Sequence, residues 1–360
     1  MPVRCFPTRI LRISPVRGKP LTVGSIAPPQ MEAEMGVAVS LGLLAIRAGS
    51  KVSQRRSQKR RESEMFSGSL VALITPMSGG KIDERAFQAF VEWQIAEGTE
   101  GLVPCGTTGE SATMTDAEYA RAVDICIEAT GGRVPVIAGA GSSSTAVCIH
   151  HAKYCEKAGA DAVMVVVPPY NKPSQEGLYR HFKAIHDAIG LPILMYNVPG
   201  RTVADLSVET VARLAKLERI IGIKDATGDL TRPIKTRLVT DPSFCQLSGE
   251  DATAIPFNAA GGIGCISVSA NVAPRLCADL QKAWRNGDMA KAQKLQEQLL
   301  PLHSAMFCEA SPGPAKYGLS LLGKCANELR LPLCEISERA QAQVRDAMVG
   351  LGLLIDKAAE

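Results

Sequence analysis

The chain has 360 residues, 46% hydrophobic and 21% charged, a composition with enough apolar material for one large core or two modest ones. Its net charge of +4 is unevenly spread, because residues 1–64 hold 12 Lys/Arg against 4 Asp/Glu and the remainder 28 against 32. The body is therefore mildly acidic, with no basic stripe to match a phosphate backbone, and a nucleic-acid-binding body is excluded.

Residues 1–64 are rich in Arg, Ser and Pro, poor in acids, and carry the basic tail Gln54-Arg55-Arg56-Ser57-Gln58-Lys59-Arg60-Arg61. Without apolar periodicity such a segment cannot bury enough surface to order itself. It resembles an organelle transit peptide, so a plastid address is expected, with the mitochondrion second, and with processing before Met65. The apolar stretch Gly36 to Ile46 is too short to span a bilayer, but its length suits a signal h-region and leaves open a bipartite route into a complex plastid. A nuclear-import or nucleic-acid patch is the other reading of the basic tail.

From Gly68 onward strand-like and helix-like patterns alternate. The apolar runs Leu70 to Thr75, Gly101 to Cys105, Val134 to Ala138, Ala162 to Val167, Pro192 to Asn197, Ile220 to Lys224, Phe244 to Ser248 and Gly264 to Val268 predict eight strands. Between them the spacing predicts helices over Glu84 to Glu97, Asp116 to Thr130, Thr145 to Ala158, Ser174 to Ala188, Ser207 to Leu217, Thr231 to Thr240 and a short one near Asp251 to Ala260. Asp83, Thr115 and Ser207 read as helix starts; Gly98, Gly131 and Gly159 read as ends. Eight βα alternations read as an α/β fold of the (β/α)8 TIM-barrel type over residues 65–270, with an open doubly wound sheet as the weaker alternative. Val272 to Asn286, Met289 to Phe307, Pro312 to Leu322 and Ser337 to Gly350 predict the last barrel helix and a C-terminal helical extension over 271–360.

The cysteines do not suggest disulfides or zinc. Eleven are scattered singly with no CxxC pair, several inside apolar patterns, so reduced core thiols are expected. The five histidines lack the spacing of a metal site, and none is assigned.

The most informative residue is Lys224, which ends the apolar run Arg219-Ile220-Ile221-Gly222-Ile223-Lys224. A cation at the end of a strand buried on both faces is costly unless it is solvated, paired or used in chemistry. Desolvation lowers an amine's pKa, and a neutral amine is a nucleophile. Snorkelling, or pairing with Asp225, is the structural alternative. In a barrel the reactive groups gather at the C-terminal strand ends. There the sequence places Gly106-Thr107-Thr108-Gly109-Glu110-Ser111, Pro168-Pro169-Tyr170-Asn171, Tyr196-Asn197-Val198-Pro199-Gly200-Arg201-Thr202 and Lys224. Taken singly, these read equally well as a turn, a packing tyrosine and a surface charge; together at one rim they are hard to explain as architecture. Gly139-Ala140-Gly141 and Gly261-Gly262-Ile263-Gly264 lack the acidic partner of a dinucleotide fingerprint and read as tight turns.

In order and spacing, the Gly106–Ser111, Tyr196–Thr202 and Gly222–Gly228 motifs resemble the dihydrodipicolinate synthase family of pyruvate-dependent class I aldolases, over about residues 68–352. The resemblance implies a lyase that condenses pyruvate with L-aspartate 4-semialdehyde through a Schiff base on Lys224, with no metal or organic cofactor. Tyr196, Thr108 and Tyr170 would relay protons, Tyr170 from a neighbouring subunit of a homotetramer. Thr107 and Thr108 would bind the pyruvate carboxylate and Arg201 that of the semialdehyde, while Gly249 and Ile266 match backbone contacts near the imine. N-acetylneuraminate lyase or a keto-deoxy sugar aldolase is the alternative within the superfamily, and a non-catalytic carboxylate-binding barrel is the alternative outside it. One region departs from the pattern: lysine-inhibited members use an Asn, a Glu and a Tyr where this chain has Ser143, Val147 and Pro169, so weak or absent lysine inhibition is expected.

Overall fold

The computed structural model describes residues 65–355; the expected leader lies outside the described residues. β1 (Gly68–Ala72) opens the barrel and is followed by a small antiparallel hairpin, β2 (Met77–Ser78) and β3 (Lys81–Ile82). Then come β4 (Gly101–Val103), β5 (Ile137–Gly139), β6 (Ala162–Val166), β7 (Ile193–Asn197), β8 (Ile220–Asp225), β9 (Cys245–Ser248) and β10 (Gly264–Ser267). The eight barrel strands pair in parallel in the order β4-β1-β10-β9-β8-β7-β6-β5. The two ends of that order meet: Leu102 N donates to Pro135 O and Gly139 N to Pro104 O, each at 2.9 Å. The sheet thus closes into the expected (β/α)8 barrel, which leaves no strand edge open.

Alternation along each strand builds two apolar layers. Inward-facing Leu70, Val103, Ile137, Met164, Leu194, Leu247 and Ile266 fill the barrel. Outward-facing Val71, Leu102, Ala138, Val163, Ile193 and Ile223 pack with Phe87, Phe90, Val123, Leu178 and Phe182 of the surrounding helices. The helices start where polar caps stand. Asp83 accepts from Ala86 N at 3.0 Å, and Thr115 and Glu118 form a reciprocal capping box on the helix Asp116–Thr130. Gly131 and Gly159 end their helices in the left-handed conformation.

The lysine-bearing strand carries an irregularity that the sequence does not announce. Ile220 pairs with Ile193 and Gly222 with Leu194, so Ile221 is skipped. Ile220 packs in the outer layer and Ile221 in the inner one; unbroken alternation would then send Ile223 inward and Lys224 outward. The extra residue resets the phase, so that Ile223 packs outside and Lys224 looks into the barrel. Gly222 permits this, because a β-carbon there would lie 2.3 Å from Cys245 O.

Beyond the barrel, the helix Pro274–Arg285 packs on β1, Met289–Ala305 packs on it in turn, and Glu338–Gly350 covers Met289–Ala305 and Gly313–Leu321. The segment after Leu321 returns to the rim of the barrel at the C-terminal ends of the strands. The Glu328 carboxylate accepts from Gly79 N at 2.9 Å and Gly80 N at 2.6 Å, and Arg330 donates to Gly80 O at 2.7 Å and Thr113 O at 3.1 Å. The structure adds the short helix Pro199–Thr202, too brief to show periodicity, with its proline in the first turn.

Substituting Gly222→Ala forces β8 away from β9, and the expected outcome is a loss of about 1–3 kcal/mol of stability. Urea unfolding checks this, and an unchanged midpoint would mean that β8 does not need the close approach.

Candidate active site

Lys224 is 4% exposed and sits beside Tyr196, its register partner on β7. Its Nζ lies 4.3 Å from the centroid of the Tyr196 ring, over the ring face. It therefore neither snorkels to solvent nor pairs with Asp225. Asp225 points the other way, accepting from Thr227 Oγ1 at 2.6 Å, Thr227 N at 2.9 Å and Arg232 Nε at 3.1 Å. Arg232, itself buried, also donates to Leu206 O at 2.6 Å and to Asp205 at 3.0 Å. Asn197 completes the network through Asp205 at 2.7 Å and Leu206 N at 3.0 Å. These charges clamp the ends of β7 and β8 from outside while the amine lies within. Sequence reasoning did not assign Asn197, Asp205 or Arg232; an acid and an arginine seven residues apart gave no periodic signal.

Gly249 follows β9, and its N–H donates to Asp225 O at 2.7 Å. A β-carbon there would stand 3.0 Å from Lys224 Cε and 2.7 Å from the Ala226 β-carbon, so this glycine makes room for the lysine stem. Ile266 is buried in the barrel interior on β10. Next to Gly249, Glu250 was also unassigned. Burial and the neighbouring Asp251 carboxylate push its carboxyl above the usual range, while Lys224 and Arg201 pull it partly back.

Thr108 is buried, whereas Thr107 is exposed and lines a cavity of about 610 Å³ with Arg201, Val166 and Val198. Val198 and Val166 also pack with the interior cluster that contains Tyr196, so the cavity adjoins the barrel mouth. Ser143, Val147 and Pro169 line the same cavity, together with Asp116 and His151. Tyr170 is not brought to Lys224 within the chain: it is 92% exposed, with φ of 76°. The ten described cysteines are free and seven are buried; burial pushes the Cys126 and Cys245 thiols up to about 12, as core thiols require.

The sequence profile of the Dihydrodipicolinate synthetase family matches residues 65–350. The 4-hydroxy-tetrahydrodipicolinate synthase of Rhodospirillum centenum is 61% identical over 290 residues, covering 81% of this chain and all of that protein. That of Acidiphilium cryptum is 60% identical over 291 residues, with the same coverage. Among solved structures, dihydrodipicolinate synthase from Aquifex aeolicus matches with a TM-score of 0.79 at 38% identity, over 81% of this chain and 100% of that one.

These sequence relatives are bacterial, as are those of Methylobacterium radiotolerans and Parvibaculum lavamentivorans, which corrects the expectation of a plastid protein. An acid-poor, Arg- and Ser-rich segment is a compositional sign only, and 60–61% identity to bacterial enzymes over 81% of the chain outweighs it. A profile match that runs from β1 through the last helix, with relatives at this identity, places the chain in the dihydrodipicolinate synthetase family.

Proposed function

We propose that the chain is a 4-hydroxy-tetrahydrodipicolinate synthase, a lyase that joins pyruvate to L-aspartate 4-semialdehyde. The observation that carries this reading is a buried lysine amine lying over the ring of a buried tyrosine at the mouth of a closed barrel. The amine nitrogen adds to the keto carbon of pyruvate, and the carbonyl oxygen leaves as water to give a protonated imine. That cation withdraws electrons from the adjacent methyl group, which loses a proton to become an enamine. The enamine carbon attacks the aldehyde of the second substrate. The amino group of the product then attacks the imine carbon, closing the ring and releasing Lys224. The face of the Tyr196 ring offers its negative quadrupole to the cationic imine, a contact worth about 0.5–2 kcal/mol.

In this reading Tyr196 and Thr108 move protons during imine formation and ring closure, with Tyr170 supplied by a neighbouring subunit. Its exposure on a single chain supports that role and a homotetramer. Thr107 and Thr108 hold the pyruvate carboxylate, Arg201 the semialdehyde carboxylate, and the backbone at Gly249 and Ile266 faces the imine. A planar guanidinium suits a carboxylate, and Arg201 lines the cavity. The relatives support this synthase over a sugar-acid aldolase.

Borohydride reduction with pyruvate should leave an adduct on the peptide that holds Lys224 and none in Lys224→Arg, read by peptide mass spectrometry. Tyr196→Phe should lower kcat by about 10²–10⁴-fold, the usual cost of losing a proton-transfer group. An unmodified wild-type peptide would refute the Schiff base.

Lysine should inhibit weakly or not at all. The glutamate that pairs with a lysine ammonium in inhibited family members is replaced by Val147, a loss of about 1.5–3 kcal/mol for a charge-assisted contact. An inhibition curve with a micromolar midpoint would overturn this expectation.

A further inference from the structure

An ion pair lies buried between the C-terminal extension and the loop that follows β4. Lys316 Nζ is 2.5 Å from Glu110 Oε1, and the two side chains are 0% and 1% exposed. Lys316 stands on the helix Gly313–Leu321 and also donates to Glu328 O at 2.7 Å. The other oxygen of Glu110 accepts from Arg330 N at 3.1 Å. Glu110 therefore takes two contacts from the extension while sitting two residues after Thr108. The loop is tied further by Thr75 Oγ1 to Gly109 O at 2.8 Å and by Ser111 Oγ to Gly106 O at 3.3 Å. The extension also forms part of the site wall, since Ser311, Pro332 and Leu333 line the cavity that Thr107 and Arg201 line.

Such a pair is a poor device for stability alone. Desolvating two ions offsets most of their attraction, and apolar replacements of similar volume are often neutral or stabilising. What the pair provides is direction: two hydrogen-bonded charges fit in one arrangement, whereas apolar contacts tolerate slip. We propose that Lys316 is a positioning residue for the Thr107–Thr108 loop, and that its buried pair with Glu110 sets how that loop meets the carboxylate of the keto acid. The proposal rests on the Schiff-base reading above and deepens it: a residue of the helical extension, outside the barrel, governs affinity for the first substrate.

The test is borohydride trapping of full-length protein as a function of pyruvate concentration, alongside thermal unfolding. Lys316→Met alone leaves a bare buried carboxylate and is expected to fold poorly. The double variant Lys316→Met/Glu110→Gln removes both charges and keeps an acceptor for Arg330 N. It should unfold near the wild-type temperature, with half-saturating pyruvate raised about 10- to 100-fold, the scale of a small misplacement of a binding group. The trapped fraction at saturating pyruvate should be unchanged, because Lys224 is untouched. Glu110→Gln alone strands the buried Lys316 ammonium in turn and is also expected to fold poorly. Val344→Ala, a cavity in the fully buried core of the extension, should lower the unfolding temperature and leave half-saturation unmoved. Wild-type half-saturation in the folded double variant, or an equal shift in Val344→Ala, would overturn the positioning role and leave the Schiff base standing. A wild-type protein that pyruvate does not trap would refute both.

Discussion

The structure turns on the inward placement of one amine. A barrel interior lined by Leu, Ile, Val and Met is a poor solvent for an ion, and burying a lone cation there costs several kcal/mol. The fold meets that cost at the strand end and no deeper: Lys224 is the fifth residue of β8, level with the Tyr196 ring and beside a glycine that leaves its stem free. One skipped residue at Ile221 is what turns it inward. Without that shift the amine would face the helices, where Asp225 and Arg232 already neutralise each other, and the barrel mouth would lack its lysine.

Strand parity then separates two kinds of polar group. Inward-facing Lys224 and Tyr196 meet inside the barrel mouth; outward-facing Asp225 and Asn197, each next to one of them in sequence, are fully engaged with Arg232, Asp205 and Leu206. Because neighbours on a strand share a backbone, fixing the outer side chain fixes the direction of the inner one. A reactive group supported in this way holds its geometry better than one carried on a free loop.

The eight strands were legible because each is an apolar run bounded by turn residues, and most helices because a capping residue marks the first turn. The strand that matters most was legible in place and not in phase: Ile220-Ile221-Gly222-Ile223 is apolar whichever residue is skipped, so pattern alone cannot tell inward from outward. The β2–β3 hairpin escaped notice because strands of two residues show no alternation. Thr107, Thr108, Tyr196 and Arg201 could be singled out as polar groups at one rim, yet Arg232 and Lys316 could not, since their partners lie across the fold and no local spacing betrays a tertiary pair. The leader's composition suggested an address that the bacterial relatives overturn.

The remaining question is why a closed barrel carries further helices. Glu110 shows part of the reason. It holds φ at 57°, a left-handed conformation that costs a non-glycine residue about 1–2 kcal/mol. A residue stays there only where its surroundings over-determine it. Lys316 and Arg330 N hold the side chain from the extension, and Thr113 Oγ1 donates to Glu110 O at 3.0 Å. The same extension grips the β2–β3 turn through Glu328 and Arg330. The barrel's strands pair without these contacts, whereas the loops at its rim take charged and hydrogen-bonded partners from the added helices and the segment that follows them; the extension therefore acts on the rim of the barrel and not on its closure.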